Sequence, residues 1–165
     1  MKNIVRLAVV CLLFSLPAAA QWDWSSPGSA GVVDPNGPVS WDLTGTSLSI
    51  RPGWIGSAEV RYPVTNTVGS SFDITPPWTT LSITASDNSA TAASVSATLY
   101  QVEKCSDQQT ALCTVTSTDG DGTPACDVCT FNGGFDFANN AYYVLVTASV
   151  TDVGGAAALH AVAVY

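Results

Sequence analysis

The sequence predicts an all-β protein: a disulfide-containing antiparallel β-sandwich, jelly-roll-like, with seven or eight strands. Three observations predict it. Apolar residues alternate with polar ones at period 2 from about residue 46 onward, the pattern of half-buried strands. Clusters of Gly, Pro, Asn, Asp and Ser break these runs at short intervals. Strong helix formers are scarce: Glu59 and Glu103 are the only glutamates, and Lys104 is the only lysine after residue 20.

The runs follow in chain order. Leu48 and Ile50 alternate with Ser, and Val60, Tyr62 and Val64 alternate around Arg61. Leu81, Ile83 and Ala85 form one face of the next run, and Val95, Ala97 and Leu99 one face of a longer one with Tyr100 and Val102 opposite. Leu112-Cys-Thr-Val-Thr continues the theme, and Tyr142 to Val150 is the longest alternating run. Turn chemistry separates them at Arg51-Pro-Gly, Thr75-Pro-Pro, Asp87-Asn-Ser, Asp119-Gly-Asp-Gly, Asn132-Gly-Gly and Val153-Gly-Gly. The closing run, Ala156 to Val164, is apolar or small on both faces, which predicts a central, covered strand. Its short connection from Val150 predicts antiparallel pairing with the 142–150 run. His160 is then a structural histidine on the face of Val162 and Val164.

The N-terminus reads as a leader. Lys2 and Arg6 precede an apolar run, Leu7 to Leu16, and Ala18-Ala19-Ala20 fits the small-residue cleavage rule. The run is about half of the roughly 20 residues that a membrane-spanning helix requires. The expected organisation is a signal peptide over 1–20, cleaved after Ala20, a Gly/Pro/Ser-rich lead-in over 21–45, and a single β-sandwich domain over 46–165. The expected location is secreted or periplasmic, through a Sec signal of bacterial type, with no transmembrane segment.

Cleavage would remove Cys11 and leave Cys105, Cys113, Cys126 and Cys129, an even number that argues for two disulfides in an oxidising compartment. Two pairings lead: Cys105–Cys113 with Cys126–Cys129, and Cys113–Cys126 with Cys105–Cys129. Cys126-Asp-Val-Cys129 lacks the following helix of a redox C-x-x-C, and export disfavours a four-cysteine zinc site.

Charge excludes one class of partner. The formal charge is −8, and without residues 1–20 three basic residues face 13 acidic ones, 3 − 13 = −10. Nucleic acid requires clustered Lys and Arg to displace counterions, and this chain has too few.

Among candidate functional residues, Trp54 and Trp78 sit in or near loops and could stack on a sugar ring, whereas Trp22, Trp24 and Trp41 read as anchors. Asp119 and Asp121 alternate with glycines, as a loop wrapping Ca²⁺ does, although the remaining ligands and terminal Glu of an EF-hand are missing; the competing reading is a hairpin tip. No cofactor other than Ca²⁺ is suggested. No Gly-x-Ser-x-Gly or His-Glu-x-x-His motif occurs, and Glu59, one strand face with Arg61, reads as half of a surface ion pair rather than as a catalytic acid. The chain is therefore expected to be no enzyme. It reads as an interaction or structural module at or outside the cell envelope, with a glycan or another extracellular protein as partner. The alternatives are a carbohydrate-binding module using exposed tryptophan and a small secreted hydrolase. Coplanar exposed aromatics would favour the first alternative, and clustered acids in a deep pocket the second.

Overall fold

Strand alternation decides the architecture. β5 (Gly56–Val64) buries Ala58, Tyr62, Val60 and Val64 on one face and exposes Ser57, Glu59, Arg61 and Pro63 on the other. A sheet built from such strands has one dry face and needs a second sheet to cover it. The computed structural model, which describes residues 23–33, 41–68, 75–89, 91–118 and 120–165, has two antiparallel sheets facing one another. Residues 1–20, read above as a leader, lie outside the described residues.

One sheet has the order β2-β5-β10-β7-β8. Its members are β2 (Val32–Val33), β5, β7 (Ala93–Glu103), β8 (Gln109–Thr116) and β10 (Asn140–Val150). The other runs β3-β4-β11-β6-β9, with β1 also paired to β11. It contains β1 (Trp24–Pro27), β3 (Trp41–Thr44), β4 (Ser47–Ile50), β6 (Thr80–Asp87), β9 (Ala125–Thr130) and β11 (Ala157–Val164). Among the described residues only β3–β4 and β7–β8 are hairpins within a sheet. Every other connection crosses to the opposite sheet, the jelly-roll-like winding expected for this class. The region after residue 46 supplies eight strands, and residues 24–44 supply three more.

The core lies between the inner faces. Val60, Tyr62, Val95, Leu99, Val144 and Val146 of the five-stranded sheet meet Leu81, Ile83, Leu159, Val162 and Val164 of the other. Each fully buried side chain of this kind contributes about 1.5–3 kcal/mol. The N-terminal segment is clamped into this interior. Tyr62 is buried and its hydroxyl donates to the Gly28 carbonyl at 2.5 Å; burial pushes the phenol well above its ordinary range. Gly28 and Gly31 leave no room for a side chain, because a Cβ would run into the Leu159 carbonyl at one and into Val60 and Tyr62 at the other.

Three expectations are corrected. β11 is central, but its partners are β6, β4 and β1, not β10. Residues 151–156 carry the chain across to the opposite sheet, so the two most apolar runs meet face to face in the core. A bulge between Leu159 and Ala161 then breaks the alternation of β11. Leu159, Val162 and Val164 all point inward, and His160 leaves the face of the valines. Its Nε2 lies 3.0 Å from the Ser86 hydroxyl.

The third correction concerns the cysteines. The disulfide is Cys113–Cys129, a pairing in neither favoured set, and Cys105 and Cys126 are exposed free thiols. β8 and β9 are edge strands of opposite sheets, and both bridged cysteines face inward, with Cα atoms 6.1 Å apart. Cys126 lies three residues before Cys129 on the same strand. That spacing puts it on the opposite face and about 10 Å away along the chain, beyond disulfide reach. Cys105 sits in the β7–β8 turn, whose neck is closed by Glu103 and Gln108 instead.

Two predictions follow from this packing. Tyr62→Phe strands the buried Gly28 carbonyl and is expected to cost about 1–3 kcal/mol in urea denaturation, while Val162→Ala costs a similar amount by deleting two buried carbons; a neutral Tyr62→Phe would mean that the clamp carries no stability. In protein lacking residues 1–20, a dithionitrobenzoate titration is expected to find two thiols, reactive without denaturant, where a two-disulfide framework gives none.

Candidate functional site at the Trp54 end

The turn after β4 is built to display an aromatic ring. In Arg51-Pro52-Gly53-Trp54, proline fixes φ at the second position and Gly53 adopts φ +82°, the combination of a type II turn. The Trp54 N–H closes it by donating to the Arg51 carbonyl at 3.2 Å. Arg51 in turn reaches Asp42 on β3, with Nη2 and Nε each 3.1 Å from Oδ1. An exposed pair of this kind adds little stability, but it orients the base of the turn. Trp54 is 42% exposed and its neighbour Ile55 is 55% exposed. Of the four tryptophans in the described residues, it alone presents its ring to solvent; Trp24 and Trp78 are buried and Trp41 packs against the core.

Beside this turn is a shallow hollow of about 230 Å³, with Pro52 of the turn in its lining. Its floor is the end of the six-stranded sheet: Ser49 of β4, Ser86 of β6 and the small side chains of Ala157 and Ala158. Asn88 forms part of the wall. Its amide donates to the Gly154 carbonyl at 2.9 Å and its carbonyl accepts from the Ala156 N–H at 2.6 Å, which locks the crossover into β11 in place. Gly122 completes the wall, held by its N–H to the Asp87 carbonyl at 2.7 Å. The topology thus gathers the β4–β5 turn, the loop around Gly122 and the 151–156 crossover at one end of the sandwich.

The other tryptophan candidate fails. Trp78 is fully buried, edge-on to Phe135 at 5.2 Å and to Phe137 at 6.5 Å, in an aromatic cluster that plugs the opposite end of the core. Thr75-Pro-Pro makes the residue look like loop, but the β6 ladder begins two residues after it.

The calcium candidate lacks its ligands among the described residues. Asp119 lies outside them. Asp121 turns Oδ1 back onto Thr123, accepting from its N–H at 2.8 Å and its hydroxyl at 2.6 Å, the local bonding of a hairpin tip. Among the described residues no three acidic, histidine or cysteine groups come together to hold a metal, whereas Ca²⁺ takes 6–8 oxygens. The expected Glu59–Arg61 ion pair is also absent: the pair present among the described residues is Arg51–Asp42.

No protein-family model matches this chain, and no curated protein matches it in sequence. Solved structures do match in fold. The CBM36-1 domain of a multidomain xylanase from the hindgut metagenome of Trinervitermes trinervoides is similar with a TM-score of 0.50 and 11% identity, over 87% of this chain and 96% of that one. The fold is a β-sandwich of that type. A carbohydrate-binding module CBM36 in complex with calcium and xylotriose aligns at a TM-score of 0.46 and 10% identity, over 86% of this chain and 99% of that one.

The two tryptophans are expected to separate cleanly in thermal or urea melts. Trp78→Ala removes a buried ring and should cost about 3–5 kcal/mol, whereas Trp54→Ala should stay within about 0.5 kcal/mol of the parent. Comparable losses at both positions would place Trp54 in the packing of the domain and remove it as a surface for ligands.

Proposed function

We propose that the protein is an exported, non-catalytic β-sandwich module that binds a glycan, with Trp54 stacking on a sugar ring at the rim of the adjacent hollow. The observation that carries this reading is the exposed indole on a closed type II turn. A ligand pays less conformational entropy to meet a ring whose backbone is already fixed. An aromatic face beside a few hydroxyl groups is also how a concave site combines apolar contact with orientation. Export is supported by the basic and apolar segments of residues 1–16 and by a disulfide, which persists in oxidising compartments.

Against a pair of catalytic glutamates stands the separation of the two that the chain has. Glu59 stands opposite Thr147 and Glu103 opposite Asn140 on β10. Seven residues of strand separate those positions, about 23 Å, against the roughly 5–9.5 Å that glycoside hydrolysis requires.

The Ser86–His160 contact at the edge of the hollow favours a second reading, a serine hydrolase. Its geometry argues against that reading. Both residues sit within or beside regular ladder positions, with Ser86 opposite Ala158, and among the described residues no carboxylate is hydrogen-bonded to the imidazole to orient it, as a triad requires.

Affinity electrophoresis against a panel of neutral polysaccharides tests the proposal. Retardation by at least one is expected, and Trp54→Ala should weaken it at least tenfold, about 1.4 kcal/mol, at an unchanged melting temperature. Binding indifferent to Trp54→Ala would overturn the assignment, and labelling of Ser86 by a fluorophosphonate would reinstate the hydrolase.

A further inference from the structure

The opposite end of the sandwich holds a cleft of different chemistry. The β7–β8 hairpin and the loop leading into β10 enclose about 380 Å³, a volume within the range of small-ligand sites. Its lining is made of hydrogen-bonding side chains, among them Gln101, Glu103, Gln108, Thr110, Asp136 and Asn139.

Part of this set is committed to holding the walls. Asp136 Oδ1 accepts from the Ala138 N–H at 3.1 Å and the Asn139 N–H at 3.2 Å, and Oδ2 accepts from the Asn139 amide at 2.7 Å. Those donors, the Asn139 amide first, hold its carboxyl below the usual carboxylate range. Lys104 ties the hairpin to the same loop through bonds to the Phe137 carbonyl at 2.7 Å and the Ala138 carbonyl at 3.1 Å. The cleft is therefore braced from both sides, and its nearest cation is spent on carbonyls.

The rest of the set is free. Among the described residues the carboxamides of Gln101 and Gln108 and the hydroxyl of Thr110 make no side-chain hydrogen bond. Glu103 uses Oε2 to accept from the Ser106 hydroxyl and leaves Oε1 open. Gln101 and Thr110 face each other directly across the β7–β8 ladder. A carboxamide both donates and accepts, a hydroxyl does the same, and a carboxylate only accepts. A polyol, whose every hydroxyl can do either, satisfies all four groups. A carboxylate or sulfate cannot donate to Glu103, and it meets two negative charges in the cleft. Apolar ligands would leave the free amides unpaired.

We infer that this cleft is a second binding site, for a neutral sugar held by hydrogen bonds with Gln101, Gln108 and Thr110 and by donating to Glu103, and separate from the Trp54 end. The eleven residues of β10 lie between the two ends, about 33 Å of strand, so the sites can be occupied independently.

Protein-observed NMR of the ¹⁵N-labelled domain tests this with xylotriose and cellotriose as neutral probes and trigalacturonate as the anionic one. At least one neutral trisaccharide is expected to shift the backbone amides of residues 101, 108 and 110 and the side-chain amides of Gln101 and Gln108. Trigalacturonate should bind there at least tenfold more weakly, and Glu103→Gln should narrow that gap. The double variant Gln101→Ala/Gln108→Ala, at exposed or half-buried positions, should lose the shifts while keeping any at the Trp54 indole. Absence of shifts in the cleft with both neutral probes at about 20 mM, far above millimolar Kd, would overturn the inference. So would trigalacturonate binding as tightly as the neutral sugars. Shifts confined to Trp54 would overturn this site and leave the first one standing; shifts confined to the cleft would do the reverse.

Discussion

The hydrogen bond from the Tyr62 hydroxyl to the Gly28 carbonyl is the constraint on which much of the fold depends. It joins β5, next to the edge of one sheet, to the segment that passes from β1 to β2. An unpaired carbonyl at that depth is costly, so the segment takes the one path that brings it under the tyrosine. Gly28 and Gly31 permit that path because neither has a Cβ to collide with Leu159, Val60 or Tyr62. Once the segment is seated, β1 covers the half of β11 that β4 leaves bare, and β2 covers the outer edge of β5. Two short strands thus finish two sheets, with the buried polar contact between them.

How much of this was legible in the sequence depends on which interactions were local. Strict alternation in 56–64, 93–100 and 140–150 reports burial residue by residue, and the sandwich follows from it. Pairing partners are not local. Tyr142–Val150 and Ala157–Val164 look like a hairpin because a short loop joins them, yet that loop crosses the core. Alternation also gives no warning of a bulge, and the bulge at Leu159/Ala161 moved His160 to the other face. The disulfide escaped for a related reason: Cys113 and Cys129 meet because β8 and β9 are edges of different sheets, which is a fact of topology and not of spacing.

The candidate sites divide along the same line. Arg51-Pro-Gly-Trp54 is a turn whose display of the ring is written in four consecutive residues, so the exposure of Trp54 is legible there. Trp78 follows a similar Pro-rich stretch but is claimed by Phe135, Phe137 and their neighbours from far along the chain. The polar cleft was invisible in sequence because Gln101 and Thr110 belong to one hairpin while Asp136 and Asn139 come from another loop. None is unusual by itself; only the shared cavity makes them a set. The one nearby clue is Asp136-Phe-Ala-Asn139, a spacing suited to a side chain that caps its own turn.

The pairing of β1 with β11 reaches beyond the finished structure. Trp24 lies opposite Val164, 164 − 24 = 140 residues apart in the chain, so the first strand finds its partner only in the last. A topology of such high contact order forms slowly, because the entropy of closing the longest loop must be met before the contacts that offset it exist. A chain delivered vectorially from its N-terminus would hold β1 without its partner until β11 had emerged. The same adjacency leaves the two ends of the domain side by side. A short linker could join Tyr165 to Asp23 and new termini could open in an exposed turn, so this sandwich is suited to circular permutation and to insertion into a surface loop of another protein.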